Sequence, residues 1–280
     1  MKPQIYRKLW LILLMAFLVY PLATLAAEPA ENTAGPLSWQ STLVPPTFPA
    51  TEAVKLASKY LGVSATAQPA TQPQFVQVSD LTPYGNIANT VYYAWLVTLP
   101  GVPVANANSK ASAAIKMEVL VLVDANDKGL DAAFTAIKKQ KWVSRYPSYQ
   151  ARDPFQVMVD DGWSVAKPRS AQPSATVSQV LSAFWSATGI NPEDAGQLFL
   201  RPRYVALALP AKRSGGKLVP LNPPGTYWPV LVSGTKTFEV VSPPSASPIP
   251  VPTGETPYMS GLIALYSDIG VQPVRGVYLP

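Results

Sequence analysis

The sequence predicts an α+β protein made of two similar units, each with one helix packed on an antiparallel sheet. Three observations carry this. Two amphipathic stretches with helix-ending glycines lie far apart in the 280-residue chain. Each is followed by runs rich in aromatic and β-branched residues. Each half then closes on an apolar strand, an Asp, a nearby Gly and a further strand. Charged residues are only 14% and hydrophobic ones 48%, which excludes a disordered polyelectrolyte, and the 31 prolines point to β-rich units joined by proline-rich connections.

The N-terminal segment has a basic front (Lys2, Arg7, Lys8), an apolar run and a small-residue end at Ala26 and Ala27. It reads as a secretory signal over 1–27, cleaved after Ala26 or Ala27. The alternative is an uncleaved anchor, since 9–27 is close to the length that crosses a bilayer. Either way the body is expected to be secreted or extracytoplasmic, with membrane contact only through an uncleaved N-terminal segment. Losing Lys2, Arg7 and Lys8 would lower the formal charge from +6 to +3. The remaining cations are scattered, which argues against nucleic acid as a partner. They would suit loose contact with an anionic wall polymer.

Residues 28–49 carry no sustained period and read as a proline-rich lead-in. The first unit spans 50–137. Its helix covers 51–62, with Thr51 as N-cap, Ala53, Val54, Ala57, Tyr60 and Leu61 as the apolar stripe, and Gly62 as terminator. Strands follow in "QFVQVSDL", "TVYYAWLVTLP" and "MEVLVLVD". A connector over 138–175 includes one alternating run (Phe155, Val157, Val159) that would make an edge strand.

The second unit spans 176–280. Thr176 is the expected N-cap and Gly189 the terminator, with Val177, Val180, Leu181, Phe184, Trp185 and Thr188 on one stripe. "RYVALALP", "TYWPVLVSG" and "TKTFEVVS" read as separate strands, and "AKRSGGKLVPLNPPG" as extra loop. The passage 241–257 reads as a proline-rich loop before the final strands. One larger α+β domain with a coincidental likeness between halves is the competing organisation.

Chemistry is constrained by what is missing. With no His and no Cys, Ser-His-Asp and Cys-His systems and the usual zinc sites fall away. "DANDKG" (124–129) places Asp124, Asn126 and Gly129 at positions 1, 3 and 6 of a calcium loop. Lys128 stands at position 5 and Thr135 at 12, where a carboxylate is needed. A hairpin turn explains it better, with Gly129 supplying a positive φ. In "VDDG", consecutive Asp160 and Asp161 would face opposite sides of a strand and could not share a proton, although Asp153 nearby leaves a weak cation site conceivable. Glu52, Glu118, Glu193, Glu239 and Glu255 lack neighbours suggesting a sugar cleft. "SGGK" (214–217) reads as a turn, not a Ser-Lys pair. No catalytic residue, cofactor or metal ligand is therefore expected. Trp95, Trp185 and Trp228 belong to apolar elements, whereas Trp39, Trp142 and Trp163 sit in irregular segments and are the expected exposed contact residues.

The order of a helix through Glu52, Ala53, Val54, Leu61 and Gly62, then Tyr93 with Trp95, Leu96 and Val97, then 121–129, resembles the PepSY domain. The second half resembles it more loosely through Trp228, Pro229, Val230, Leu265, Asp268, Ile269 and Gly270. The resemblance implies a helix on an antiparallel sheet and a role in inhibition, chaperoning or regulation by protein contact, with an envelope peptidase or sensor as partner. With no peptidase sequence after the second unit, something other than a propeptide–enzyme precursor is expected. A wall-polymer or carbohydrate-binding protein is the alternative class, and a hydrolase a third.

Overall fold

The computed structural model describes residues 32–34, 37–80, 90–104, 114–135, 164–165, 170–190, 195–207, 211–214, 217–220, 224–239 and 258–279. The chain divides into two compact units, 1–32 and 33–280, and only Asn32 of the first is described. The expected signal segment, "VDDG", the run around Val157, and all of the proline-rich loop 241–257 lie outside the described residues, as do Trp142 and Trp163.

The described fold is α+β. Helix α1 (Ala50–Leu61) and helix α2 (Val177–Thr188) each hold twelve residues. The first half adds strands β1 (Asn32–Ala34), β2 (Leu37–Ser41), β3 (Gln74–Asp80), β4 (Thr90–Val104), β5 (Ile115–Asp124) and β6 (Leu130–Thr135). The second adds β7 (Ser164–Val165), β8 (Ala195–Leu200), β9 (Arg203–Leu207), β10 (Ala211–Ser214), β11 (Lys217–Pro220), β12 (Gly225–Glu239), β13 (Tyr258–Ser267) and β14 (Pro273–Leu279).

Twelve strands form one sheet with the main path β1-β2-β3-β4-β5-β6-β8-β12-β13-β14, while β9 pairs with β12 and β7 off that path. Strands β10 and β11 form a separate antiparallel pair in which Ser214 faces Lys217, so the passage "AKRSGGKLVPLNPPG", read as loop, holds two short strands. The halves join where β6 meets β8, with Ala133 opposite Leu200 and Phe134 opposite Phe199.

Period-two alternation sends side chains to two faces, and both are buried. On the first face, Val97, Leu99, Val119, Val121 and Val123 meet Ala53, Ala57, Tyr60 and Leu61 of α1. The same continuous core takes in Phe184 and Trp185 of α2 with Trp228, Val230 and Tyr266. Helix α2 also reaches back to the first half, since the Ser178 hydroxyl donates to the Pro103 carbonyl. On the second face, Leu37, Trp39, Val76, Val78, Ala94, Leu122, Ala132, Phe134, Phe199 and Leu231 form a smaller core. The Trp39 and Phe134 rings lie 5.1 Å apart although β3, β4 and β5 separate their strands. A flat sheet would hold those strands about 19 Å apart. The sheet therefore curls around its second face.

Several expectations change. Residues 37–41, read as lead-in, form β2, because Leu37 and Trp39 alternate with polar residues against Asp80 and Val78. The N-cap of α1 is Pro49, not Thr51; Pro49 makes no side-chain cap, and its extended φ/ψ simply starts the helix two residues earlier. "TYWPVLVSG" and residues 235–239 of "TKTFEVVS" belong to one strand, β12, with a register shift between Ser233 and Phe238. By contrast Gly62 and Gly189 end their helices at φ 76° and 69°, and Thr176 with Gln179 completes a capping box.

Candidate functional site

The most unusual side chains in the described residues are charged and buried. Asp80, Arg201, Arg203 and Asp131 are at most 3% exposed. Local backbone geometry aims them at one point. Asp80 ends β3, and Tyr92 lies one strand away on β4. A register shift between Leu122 and Val123 leaves Asp131 as the extra residue of β6, so it shares the second face with Ala132 instead of alternating. Arg201 and Pro202 interrupt the passage from β8 to β9, leaving the two arginines two residues apart.

Arg201 Nη1 donates to Asp80 Oδ1 at 3.2 Å, and its Nη2 donates to Asp80 Oδ2 and, at 3.4 Å, to Asp131 Oδ1. Arg203 Nη2 donates to Asp131 Oδ1 at 2.6 Å, while its Nη1 donates to the carbonyls of Asp131 at 3.0 Å and Pro202 at 2.9 Å. The Tyr92 hydroxyl donates to Asp131 Oδ2. Burial alone would raise the Asp131 carboxyl, but the two guanidiniums and the tyrosine hold it below its usual range. Burial, followed by the Asp131 charge, pushes the Tyr92 phenol well above its ordinary value. Among the described residues the cluster joins two anions and two cations, and Asp131 is a poorer base than a free carboxylate. The arrangement clamps β3, β4 and β6 of the first half to the β8–β9 corner of the second.

The "DANDKG" hairpin is a second cluster. Asp124 Oδ1 accepts from the backbone N–H groups of Asn126 at 2.6 Å and Asp127 at 3.2 Å. Asp127 Oδ1 accepts from Gly129 N–H at 2.8 Å and from the Ser170 hydroxyl. The positive φ falls at Lys128 (59°), not at Gly129. Gly129 is needed for space, since a Cβ there would lie 2.8 Å from the Ala171 carbonyl oxygen. Burial first, with the Asp127 charge, raises the Tyr60 phenol to about 12. That phenol lies 2.9 Å from the Lys128 carbonyl oxygen and 2.7 Å from Gln172 Oε1. Gln172 Nε2 in turn donates to the Asp127 carbonyl at 2.9 Å. Lys128 Nζ pairs with Glu52 at 2.7 Å and sits 5.3 Å from the Phe48 ring centroid. The hairpin is thus a turn, as expected, and also the dock for the segment entering α2. Burial is the largest cause raising the Asp124 carboxyl.

The β13–β14 hairpin does comparable work with different atoms. The Asp268 carboxylate accepts from Ser174 N–H at 2.7 Å, Ala175 N–H at 2.9 Å and Trp228 Nε1 at 2.8 Å.

Of the expected contact residues, Trp39 is 5% exposed and is corrected to a core residue: β2 turns it against Phe134. Trp95, Trp185 and Trp228 are buried as expected. Among the described residues no group of acids is arranged to hold a metal, and no helix is long and apolar enough to cross a membrane. The charged cluster escaped sequence reasoning because Asp80 and Arg201 are separated by 121 positions. No family model matches the chain, and no curated protein or solved structure matches it significantly.

Proposed function

We propose that the chain is a non-catalytic exported protein of two PepSY-like units that regulates or inhibits an envelope peptidase or sensor by protein contact. The observation carrying this is a correspondence, element by element, between β2-α1-β3-β4-β5-β6 and β7-α2-β9-β12-β13-β14. Both helices have twelve residues and an αL glycine at the same distance from the N-cap. Strands β4 and β12 both have fifteen residues, and β5 and β13 both have ten. Trp95 faces Val123 as Trp228 faces Tyr266.

Irregularities also coincide. Register shifts separate Leu122 from Val123 and, at the matching place, Leu265 from Tyr266; β4 and β12 also shift against their neighbours, but one residue apart on this alignment, after Leu99 and after Ser233. Asp124 N–H bonds Gly129 O at 3.0 Å, and Ser267 N–H bonds Gln272 O at 2.9 Å. Both hairpins carry a positive φ at the matching positions Lys128 and Val271, although Gly270 adds one at 72° with no counterpart at Asp127. Thr47 ties the approach to α1 to the Ala125 carbonyl, and Ser174 ties the approach to α2 to Asp268. Bulges and αL positions tolerate few residues, so their coincidence is poorly explained by chance. On this alignment Asp124 matches Ser267, and Asp268 matches Ala125, so the Asp signature is offset by one residue.

A non-catalytic role is supported by how the acids are used: Asp124, Asp127, Asp131 and Asp268 hold backbone N–H groups, a hydroxyl, an indole or guanidiniums. Affinity capture from envelope extracts should return a peptidase or sensor protein. Recovery of glycan alone would sink the proposal and favour a wall-polymer binder, whose binding should vanish with modest salt.

A further inference from the structure

The two halves end on equivalent strands with different neighbours. Strand β6 lies behind β5 as β14 lies behind β13, with the same register shift at the start of each. The outer edge of β6 is filled by β8, antiparallel, and Leu198 N–H also donates to Thr135 Oγ1 at 3.2 Å. Among the described residues β14 pairs with β13 alone. Its seven residues therefore turn alternate N–H and C=O groups outward, a template for one more strand.

The molecule supplies its own example of what such an edge takes. Strand β8, "AGQLFL", is extended, free of proline and apolar at Leu198, Phe199 and Leu200. The matching stretch ahead of β3 is "QPATQP" (68–73), which forms no strand. Pro69 and Pro73 cannot donate to a ladder. Strand β2 covers the outer edge of β3, and β8 is already held between β6 and β12. Among the described residues, a second copy of the chain thus offers no free segment of the β8 type to continue the sheet head to tail.

Resting on the two-unit reading, we propose that the outer edge of β14 is a docking edge for an extended, proline-free apolar segment of a partner protein, added as an antiparallel strand. The probe is a synthetic AGQLFL peptide with Lys flanks, added to the full chain while amide hydrogen exchange is followed. Alternate amides of Pro273–Leu279 should exchange at least about tenfold more slowly with peptide. The same peptide with proline at the positions of Leu198 and Leu200 should do nothing. Unchanged exchange at the highest soluble peptide concentration would overturn the proposal. So would protection already complete in the free chain, or protection that grows with protein concentration, which assigns the edge to a second copy. A cross-strand NOE map of the free chain tests the underlying reading separately. A strand order other than β9-β12-β13-β14 ends the two-unit reading whatever the peptide does. The same order with no peptide effect ends the docking edge alone.

Discussion

At the residue scale, the Arg201–Asp80 and Arg203–Asp131 contacts hold the strongest energetic consequences. Removing one partner of a buried pair leaves an uncompensated charge, so Arg203→Met should cost about 3–5 kcal/mol in urea unfolding. Replacing both partners removes that penalty: Asp80→Leu with Arg201→Met should be closer to wild type than Arg201→Met alone. The same cluster sets an acid limb. The Asp131 pKa is lower folded than unfolded, so its stabilisation is complete above about pH 4, the unfolded value, and is lost as pH falls through the folded one. Asp124 has the opposite sign, since its raised pKa means that its charge costs stability at neutral pH and protonation relieves the cost. Thermal melts between pH 2 and 5, bracketing about pH 4, should show a shallower acid limb for Asp131→Asn than for the wild type. An equal slope would show that other carboxylates govern acid unfolding.

At the scale of elements, glycine positions test the hairpin and the helix caps. Gly129→Ala should cost about 2 kcal/mol, because the Ala171 carbonyl is backbone and cannot easily retreat. Gly62→Ala should cost at least about 1 kcal/mol from its φ of 76° alone, and more because its Cβ would crowd Thr176. Chemical denaturation of each variant measures both. Legibility divides along the same lines. Thr176, Gly62 and Gly189 announced their helix ends because capping chemistry is local. The alternation in β3 and β5 was equally plain. Strand β2 was hidden because five residues bounded by prolines contain too few periods, and β8 because "AGQLFL" alternates only weakly. At "DANDKG" the turn was readable. The swap of roles between Lys128 and Gly129 was not, since it depends on where the connector passes. The Arg/Asp cluster depends wholly on tertiary register, which no local pattern encodes.

At the scale of the whole molecule, one continuous core and one charge cluster draw on both halves. The fragments 33–136 and 164–280 should therefore each remain largely unfolded alone and regain far-UV signal on mixing. The intact chain should unfold in a single transition by fluorescence and circular dichroism together. Two separated transitions would mean that each half is stable without the other. The fold class was readable from the order of elements, whereas the merging of both halves into one sheet was not. That merger depends on β8 reaching β6 through two residue pairs.

The buried clamp has a temporal meaning as well. A chain is made from its N-terminus, and domains ordinarily fold as they emerge. Here Asp80 and Asp131 are complete long before Arg201 and Arg203 exist, so the early half would have to bury two carboxylates without counter-ions. The clamp itself cannot form before the β8–β9 corner has been synthesised. Its contribution to stability thus enters only when Arg201 and Arg203 have joined the chain, late in synthesis.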